Sequence, residues 1–241
     1  MTFNYQTITK EHLERFICKE KEDGIVELSL PRCQNNIQIK LPFILDEKIA
    51  SLAGLMPDGS LIKDIRRIYF VQKKDFNKHI LFQDTINELF RIKNKIFMKN
   101  TSNALESYTN STVLCHFLHF VLDFKKSDQK MRAPEWLFTS PNSVKRAYLR
   151  EAFAMEGCIF KSLSEIRFIS KFEDYARDIQ SLLLQLGITS HVKPRIGGTY
   201  GTIQYRLSVY RKENFQKFKE IGFTVPLHFE RFTKICEKYK I

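Results

Sequence analysis

The sequence predicts an α+β fold in which two tandem αββαββα-type repeats follow a small N-terminal extension made of a helix and a β-hairpin. Helical and strand-like patterns alternate in the same order in each half of the chain. A run of small residues that ends on an acid followed by glycine occurs once per half, with Asp58 and Glu156 lying 98 positions apart. Because a repeated unit constrains a fold more than local propensity does, this duplication decides the prediction.

The composition indicates a basic protein with enough apolar residues for a proper core. The 241 residues include 39 Lys and Arg against 27 Asp and Glu, which gives a formal charge of +12. Such a balance favours a nucleic acid as the partner. A coding bias toward Lys, Ile, Asn and Phe would also produce it and remains the alternative explanation.

Targeting signals are absent from the sequence pattern. No uncharged apolar run reaches the roughly 18 residues of a membrane helix, and the first residues form no apolar leader, so we expect neither a membrane partner nor secretion. The five cysteines are scattered and form no CxxC pair. An odd, scattered set argues against a disulfide framework and for an intracellular, reducing compartment such as the cytoplasm, the nucleoid or an organelle matrix.

Residues 1–44 are assigned to the N-terminal extension. The apolar spacing within 9–22 predicts a helix, because Leu13, Phe16 and Ile17 share one helical face. The segments 24–30 and 36–41 alternate apolar and polar residues and predict a β-hairpin. This extension either forms accessory strands beside the first repeat or adds contacts to the partner.

The first repeat is assigned to residues 45–124. Asp46 is a good N-cap for a helix over 47–57, which contains the small residues Ala50, Ser51, Ala53 and Gly54. Small residues lower helix propensity and are expected where another backbone comes very close. The elements predicted after this helix are a hairpin over 60–73, a helix from 75 or 76 to 90, a hairpin near 93–109 and an apolar helix over 111–124.

A polar linker is assigned to residues 125–141 and the second repeat to 142–241. Ser143 is expected to cap a helix that runs through Met155. The later elements are predicted as a hairpin over 158–171, a helix over 173–186, a hairpin around Gly197, and helices over 214–220 and 228–239. When the halves are shifted by 98 positions, the following pairs coincide without a gap: Gly59 with Gly157, Phe70 with Phe168, Lys73 with Lys171, and Asp75 with Glu173.

The motifs LAGLMPDGSL, which contains Asp58, and YLREAFAMEG, which ends just after Glu156, resemble those of the LAGLIDADG homing endonucleases. The strand endings YFVQKKD and RFISKFED extend the resemblance, which covers about residues 45–240. It implies a monomeric pseudo-dimer whose motif helices pack together and whose sheets form a pseudo-twofold saddle on double-stranded DNA. Members of this family cut both strands of a long asymmetric target, and some act as maturases on intron RNA.

Three departures from the family pattern concern the helix crossing. The glycine that usually lies five residues before the acid is replaced by Ala53 in the first copy and by Glu151 in the second. Pro57 precedes the first acid. These differences bear on the crossing geometry and leave both acids in place.

Asp58 and Glu156 are the predicted metal ligands and catalytic acids. Hydrolysis of a phosphodiester needs a divalent cation, and carboxylates suit Mg²⁺, with Mn²⁺ or Ca²⁺ able to occupy the same site. If the helices cross near their C-termini the two carboxylates meet, and their repulsion calls for cations between them. The resemblance adds the carbonyl oxygens of Pro57 and Met155 as ligands. Taken singly, each acid–glycine pair could instead be an ordinary turn or helix end.

Gln72, Lys73 and Lys171 are the remaining catalytic candidates. Gln72 and Lys73 match the polar pair that ends a strand in the family, and Ser170 and Lys171 hold the same place in the second half. A lysine there can polarise the scissile phosphate, although a solvated strand-end charge is the plainer explanation. Since Ser170 is shorter than Gln72, the two halves are expected to be unequal.

The candidate DNA contacts are basic or aromatic residues on or near the hairpins. Alternation along a strand lets only about half of them face the DNA, and each could equally be part of a generic charged surface. They are Lys63, Arg66, Arg67, Lys161, Arg167, Lys193, Arg195, Tyr205, Arg206 and Arg211.

The leading hypothesis is therefore a Mg²⁺-dependent, site-specific DNA endonuclease. The alternative on the same scaffold is an intron RNA maturase or a DNA-binding regulator that does not cut. Retention of both acids favours cutting, and the departures at Pro57 and Glu151 favour the alternative. A third possibility is an unrelated basic protein with a chance repeat.

Overall fold

The computed structural model describes residues 6–73, 76–92, 97–100, 104–160, 162, 164–197 and 201–241, with the backbone alone for 97–100. The α-helices in these ranges are α1 (Glu47–Gly54), α2 (Phe76–Phe90), α3 (Thr112–His116), α4 (Asn142–Glu156), α5 (Glu173–Gln185), α6 (Lys212–Phe218) and α7 (Pro226–Tyr239). The strands of the N-terminal part are β1 (Thr7–Ile8), β2 (Ile17–Glu20), β3 (Ile25–Ser29), β4 (Ile37–Lys40) and β5 (Phe43–Ile44).

The strands of the first repeat are β6 (Gly59–Leu61), β7 (Arg67–Gln72), β8 (Phe97–Asn100) and β9 (Leu105–Asn110). Those of the second are β10 (Gly157–Ile159), β11 (Ile166–Ser170), β12 (His191–Gly197) and β13 (Thr202–Val209). Each set forms an antiparallel sheet, with orders β6-β7-β9-β8 and β10-β11-β13-β12. The two orders are equivalent, which confirms the predicted α+β fold of two tandem repeats.

One face of each sheet is apolar and packs against helices. In the first repeat Ile68 and Phe70 are fully buried, and in the second their counterparts Ile166 and Phe168 are as well. Alternation along each strand leaves the opposite face for polar residues. Buried side chains from both repeats and from the N-terminal part belong to one continuous core. The boundaries at 44, 124 and 141 stay predictions.

Helices α1 and α4 pack against each other and join the two repeats. Asp46 caps α1 as predicted, because its Oδ1 accepts from Lys48 N at 2.9 Å and from Ile49 N at 3.2 Å. The helix ends at Gly54, three residues earlier than predicted, and Met56–Asp58 form a 3-10 turn. Pro57 explains the difference, because it has no N–H to continue the α-helical ladder.

The predicted helix over 9–22 is wrong. Lys10–Leu13 form a short 3-10 turn and a second one begins at Glu22. Between them, Ile17–Glu20 are the strand β2, which pairs with β3 in an antiparallel sheet of order β2-β3-β4. Leu13 and Phe16 are buried as a helix would require, but Ile17 is 57% exposed. Pairing with the edge of β3 outweighed the local spacing. The β3–β4 hairpin is confirmed.

Two smaller predictions about helix ends also change. Ser143 does not cap α4, which begins after Pro141 without a side-chain cap. Its hydroxyl instead hydrogen-bonds to Glu47, which lowers the pKa of that carboxyl. The apolar segment 111–124 is helical in two pieces, since α3 continues as a π-helix over Phe117–Val121.

The linker contacts both repeats. Ser127 N donates to Leu61 O at 2.8 Å, and Lys126 pairs with Leu61 in parallel. Arg132 donates to both carboxylate oxygens of Asp178, at 2.7 and 2.8 Å.

Within the described ranges, the helices are all too short or too polar to cross a membrane.

Candidate active site

Asp58 and Glu156 stand at the ends of the two motif segments, where the 3-10 turn after α1 and the last turn of α4 meet their sheets. Both side chains are partly buried. Burial raises the pKa of Asp58 to about 6, against a smaller opposing effect of a hydrogen bond from Gln72. The pKa of Glu156 rises to about 7 through burial and then through the charge of Asp58, with Lys171 opposing both. The two acids are therefore within electrostatic reach of each other.

The helix crossing explains how the acids come together. A Cβ placed on Gly54 would lie 2.5 Å from Tyr148 O and 2.8 Å from Glu151 Cβ, so only glycine allows this approach. The crossing glycine is therefore Gly54, one position after Ala53. Glu151, which looked out of place at a crossing, directs its carboxylate to Lys78 Nζ of α2, and both side chains are buried.

Gln72 connects the sheet of the first repeat to the acid pair. It ends β7, and its Nε2 donates to Asp58 Oδ2 at 2.6 Å. The same nitrogen contacts Met155 Sδ at 3.7 Å, so the side chain bridges the two repeats. In the second repeat Ser170 Oγ accepts from Phe172 N at 3.0 Å and makes no comparable link to Glu156 among the described residues. The predicted inequality of the halves is visible in these contacts.

The two candidate lysines lie in different surroundings. Lys171 borders a cleft that Pro57, Glu156 and Gln204 also line, and its charge acts on Glu156. Lys73 is exposed and borders a separate groove together with Lys78. The structure thus brings Asp58, Glu156, Gln72 and Lys171 together and leaves Lys73 beside them.

The acid pair fits a hard divalent cation. The raised pKa values of the two carboxyl groups show that their negative charges are poorly compensated in the cation-free protein, and carboxylate oxygens suit Mg²⁺, Mn²⁺ or Ca²⁺. Across the residues that the structure describes, no group of three or more His, Cys, Asp or Glu could hold a metal. Further ligands would therefore have to be main-chain oxygens, water or substrate phosphate.

The outer face of the second sheet gathers four of the predicted DNA contacts. The pairing of Arg167 with Ser208, of Lys193 with Arg206 and of Arg195 with Gln204 places these side chains on one face. Tyr205 alternates with Arg206 and pairs with Ser170 and Pro194, so it lies on the opposite face.

The other predicted contacts are more dispersed. Arg67 lies on the outer face of the first sheet, while Lys63 and Arg66 are exposed in the turn between β6 and β7. Arg211 is exposed immediately before α6. Lys161 falls outside the described residues.

Sequence reasoning missed several residues at this site. The linker residues Lys125, Lys126 and Gln129 line a second cleft with Tyr69 and Lys171, beside the first. The two lysines were expected to touch phosphates or nothing, and the sequence did not predict their position at this cleft; Gln129 was not predicted. Gln204 could have been found from its alternation with Arg206 along β13. Glu165, a buried acid on the basic face, gave no signal.

Comparison with known families gives a match in the second half of the chain. Residues 143–222 match the family model described as a LAGLIDADG-like domain. Among curated proteins, the probable translation initiation factor IF-2 of Methanocaldococcus jannaschii is 29% identical over 212 residues, covering 83% of this chain and 17% of that protein. The replicative DNA helicase DnaB of Rhodothermus marinus is 32% identical over 94 residues, covering 37% of this chain and 10% of that protein. The chain thus spans about a sixth or less of the curated relatives it matches.

Solved structures share the fold over most of the chain. A structure of I-DmoI in complex with DNA and Ca is 18% identical with a TM-score of 0.57, covering 79% of this chain and 98% of that one. Mesophilic variants of the homing endonuclease I-DmoI give a TM-score of 0.55 at 18% identity, covering 73% and 96%. Full-length DUF199/WhiA from Thermatoga maritima gives 0.52 at 13% identity, covering 82% and 62%.

Proposed function

We propose that the chain is a LAGLIDADG protein that acts as a site-specific double-strand DNA endonuclease, with a divalent cation held by Asp58 and Glu156. The match of residues 143–222 to a LAGLIDADG-like domain and the fold shared with I-DmoI support this proposal. The observation that carries the proposal is the pair of acids, one from each repeat. Burial raises the pKa of Asp58 to about 6, and burial together with the charge of Asp58 raises the pKa of Glu156 to about 7. A pair that gains by neutralisation is suited to a cation.

Gln72 and Lys171, which lie beside the two acids, support a role in phosphodiester cleavage. Gln72 fixes the Asp58 carboxylate through its hydrogen bond and reaches Met155 of the other repeat. Lys171, at the cleft beside Glu156, is placed to bind a phosphate oxygen of the strand to be cut. When bound, a divalent cation would supply the Lewis acid that phosphodiester hydrolysis requires.

The basic outer face of the second sheet supports a duplex as the substrate. Arg167, Lys193, Arg195 and Arg206 share that face, and the chain as a whole carries a formal charge of +12. Side chains on a sheet can enter the major groove and read base edges. The structures of I-DmoI were determined with DNA and with Mn or Ca, which is consistent with this substrate and with a divalent cofactor. We propose that one chain binds one duplex, with the two repeats reading the two halves of an asymmetric target.

The distribution of relatives supports a mobile genetic role. An initiation factor, a helicase, a gyrase subunit and an aminotransferase have unrelated named activities, yet each matches this chain over 17% or less of its length. A segment shared by unrelated proteins is what an inserted, self-propagating sequence would leave. Cutting an uninterrupted copy of its own insertion site would be the purpose of the nuclease.

A second candidate is a DNA-binding protein that does not cut. The fold is also that of DUF199/WhiA, so the scaffold does not by itself decide for cleavage. An RNA maturase on the same scaffold is the third outcome to be tested.

The decisive experiment compares binding with cutting. The 241-residue chain would select duplexes from a random pool in Ca²⁺, and the selected duplexes would then be incubated with Mg²⁺ or Mn²⁺. Asp58→Asn and Glu156→Gln should bind as well as wild type and cut neither strand, while Glu230→Gln, an exposed acid on α7, should cut normally. Affinity should fall steeply with salt, as several phosphate contacts require.

Each other result assigns a different function. Selected duplexes that wild type never cuts would favour the non-cleaving regulator. Tight binding of structured RNA with no duplex selection would favour the maturase. Equal nicking by the Asp58→Asn, Glu156→Gln double variant and wild type would remove the acids from the mechanism.

A further inference from the structure

Glu165 is a buried acid on the basic outer face of the second sheet. It lies one residue before β11 and is 4% exposed. Its Oε1 accepts from Tyr210 OH at 2.9 Å and from Ser208 Oγ in a short hydrogen bond. Arg206 Nε also approaches Oε1, at 4.0 Å. None of these partners is a residue of the acid pair, so the burial of Glu165 needs another explanation.

The other carboxylate oxygen holds Arg167. Both Nε and Nη2 of the guanidinium lie 2.5 Å from Glu165 Oε2. The guanidinium carbon also lies 4.2 Å from the centre of the Phe160 ring, which fixes the plane of the group. The Nε–Nη2 edge of the Arg167 guanidinium is thus bound by Glu165, and the Phe160 ring fixes the orientation of its plane. The terminal edge, with Nη1, makes no hydrogen bond to the part of the chain that the structure describes.

The network is strong enough to keep Glu165 charged. Burial opposes ionisation, but hydrogen bonds from Arg167, Ser208 and Tyr210 together lower the pKa of Glu165 below its usual value. A charged acid at this position reduces the positive charge of the face, so it does not serve general affinity for phosphate. Glu165 instead orients the side chain of Arg167. A free arginine side chain populates many rotamers and loses that conformational entropy when it binds.

The first sheet contains a related arrangement. Arg67 Nε donates to Asn110 Oδ1 at 2.7 Å, and its guanidinium carbon lies 4.6 Å from the centre of the Tyr108 ring. An acceptor on Nε and an aromatic ring therefore fix one arginine on the outer face of each sheet. In the second sheet the acceptor is a buried carboxylate, which binds the arginine more firmly than a neutral amide does.

We propose that Glu165 is a specificity-determining positioning residue that aims the terminal edge of Arg167 at a guanine in the half-site beneath the second repeat. The O6 and N7 atoms of guanine accept two parallel hydrogen bonds from one arginine in the major groove. This inference rests on the proposed function only to the extent that the protein binds DNA in a sequence-specific way, and it holds whether or not the duplex is cut.

The test separates base preference from affinity. Wild type, Glu165→Gln, Arg167→Lys and the surface control Glu230→Gln would each select from the same random duplex pool in Ca²⁺ at two salt concentrations. Wild type and the control should return a consensus with a strongly preferred guanine in one half-site. Glu165→Gln and Arg167→Lys should reduce that preference about tenfold or more, as loss of a bidentate contact predicts.

Two further readouts exclude a merely structural effect. Preference in the other half-site and the salt dependence of affinity should stay unchanged in Arg167→Lys, because the charge is kept and only the fork is lost. Arg167→Lys also leaves Glu165 bonded to Ser208 and Tyr210, so it reports on the base contact even where Glu165→Gln lowers the melting temperature.

The possible failures are distinguishable. A wild-type consensus that both variants reproduce with the same strength would overturn the assignment of Glu165 and Arg167 and leave the proposed function intact. A uniform loss of affinity without a change in consensus would show that Arg167 touches phosphate and would overturn it as well. If wild type selects no consensus at all, sequence-specific binding itself is wrong.

Discussion

Gly54 lies against the backbone of Tyr148, and a Cβ at Gly54 would come to 2.5 Å from the Tyr148 carbonyl oxygen. The contact joins the helix that leads to Asp58 with the helix that ends at Glu156. Because the two acids belong to different repeats, the spacing between their carboxylates depends on how closely these helices approach. The absence of a single side chain thus sets the geometry of the candidate cation site.

Gly54→Ala should therefore destabilise the protein and separate the acids. The new methyl group meets backbone atoms, which cannot rotate away, so we expect a loss of about 1 to 3 kcal/mol in the free energy of unfolding. Chemical denaturation would measure it. Ser51→Ala on the same helix is the matched control, and an equal effect of both changes would contradict the role of the crossing.

The stability of the cation-free protein should fall as the pH rises from about 4 to about 7. Burial raises the pKa values of Asp58 to about 6 and of Glu156 to about 7, so the folded chain binds more protons than the unfolded chain in this window. Under that condition the free energy of unfolding decreases with increasing pH. At pH 8, Glu156→Gln should therefore melt at a higher temperature than wild type, and its free energy of unfolding should be larger by roughly 1 to 3 kcal/mol. At pH 4 the two proteins should melt at about the same temperature.

A cation should reverse this loss. Ca²⁺ at pH 8 should raise the melting temperature of wild type, because an ion that binds only the folded state stabilises it by mass action. The Asp58→Asn, Glu156→Gln double variant should not respond. An equal increase in both proteins would place the ion elsewhere.

Removal of either partner of the Lys78–Glu151 pair should cost more than removal of both. Lys78 is 5% and Glu151 4% exposed, and Lys78 also donates to Thr224 Oγ1 at 2.6 Å. A single change leaves an unpaired buried charge, with an expected loss of about 3 to 5 kcal/mol. Lys78→Met with Glu151→Gln should lose less than either alone. Additive losses in a double-mutant cycle would show that the two charges do not depend on each other.

Gln72→Ala should unbalance the cutting of the two strands. Gln72 donates to Asp58, whereas Ser170 is occupied by the backbone of Phe172. A hydrogen bond to a charged group contributes about 1.5 to 3 kcal/mol, so its loss corresponds to a tenfold or larger decrease in cleavage rate. We expect this decrease mainly on one strand. Accumulation of nicked plasmid would reveal it, with Ser170→Ala as the control. If Gln72→Ala cuts both strands at equal rates, the two halves of the site do not differ in the way proposed.

Sequence patterns sufficed for the repeats, because each hairpin alternates with a period of two and the acids recur at a fixed interval. They failed where tertiary contacts compete with local preference. Ile17 fitted a helix but pairs with β3, and the crossing residue is Gly54 because Pro57 ends α1 early. The position of Lys73 in a separate groove also follows from packing and leaves no trace in spacing.

Glu165 shows a different limit of sequence reasoning. Its partners come from its own strand segment, from β13 and from the residue after β13, more than 40 residues later along the chain. Nothing in the local sequence distinguishes it from a solvated acid. Such a residue is found only when the strand register is known, since the register decides which donors surround it.

The contact of Lys78 with Glu151 and Thr224 has a consequence for building chimaeras. The three residues come from α2, from α4 and from the segment before α7, so the bond crosses the seam between the repeats. A chimaera in which one repeat is replaced by the equivalent repeat of a relative would leave either the Lys78 ammonium or the Glu151 carboxylate buried without its partner. Hybrid proteins with new target preferences therefore need to inherit both members of this pair, or to replace both with apolar residues.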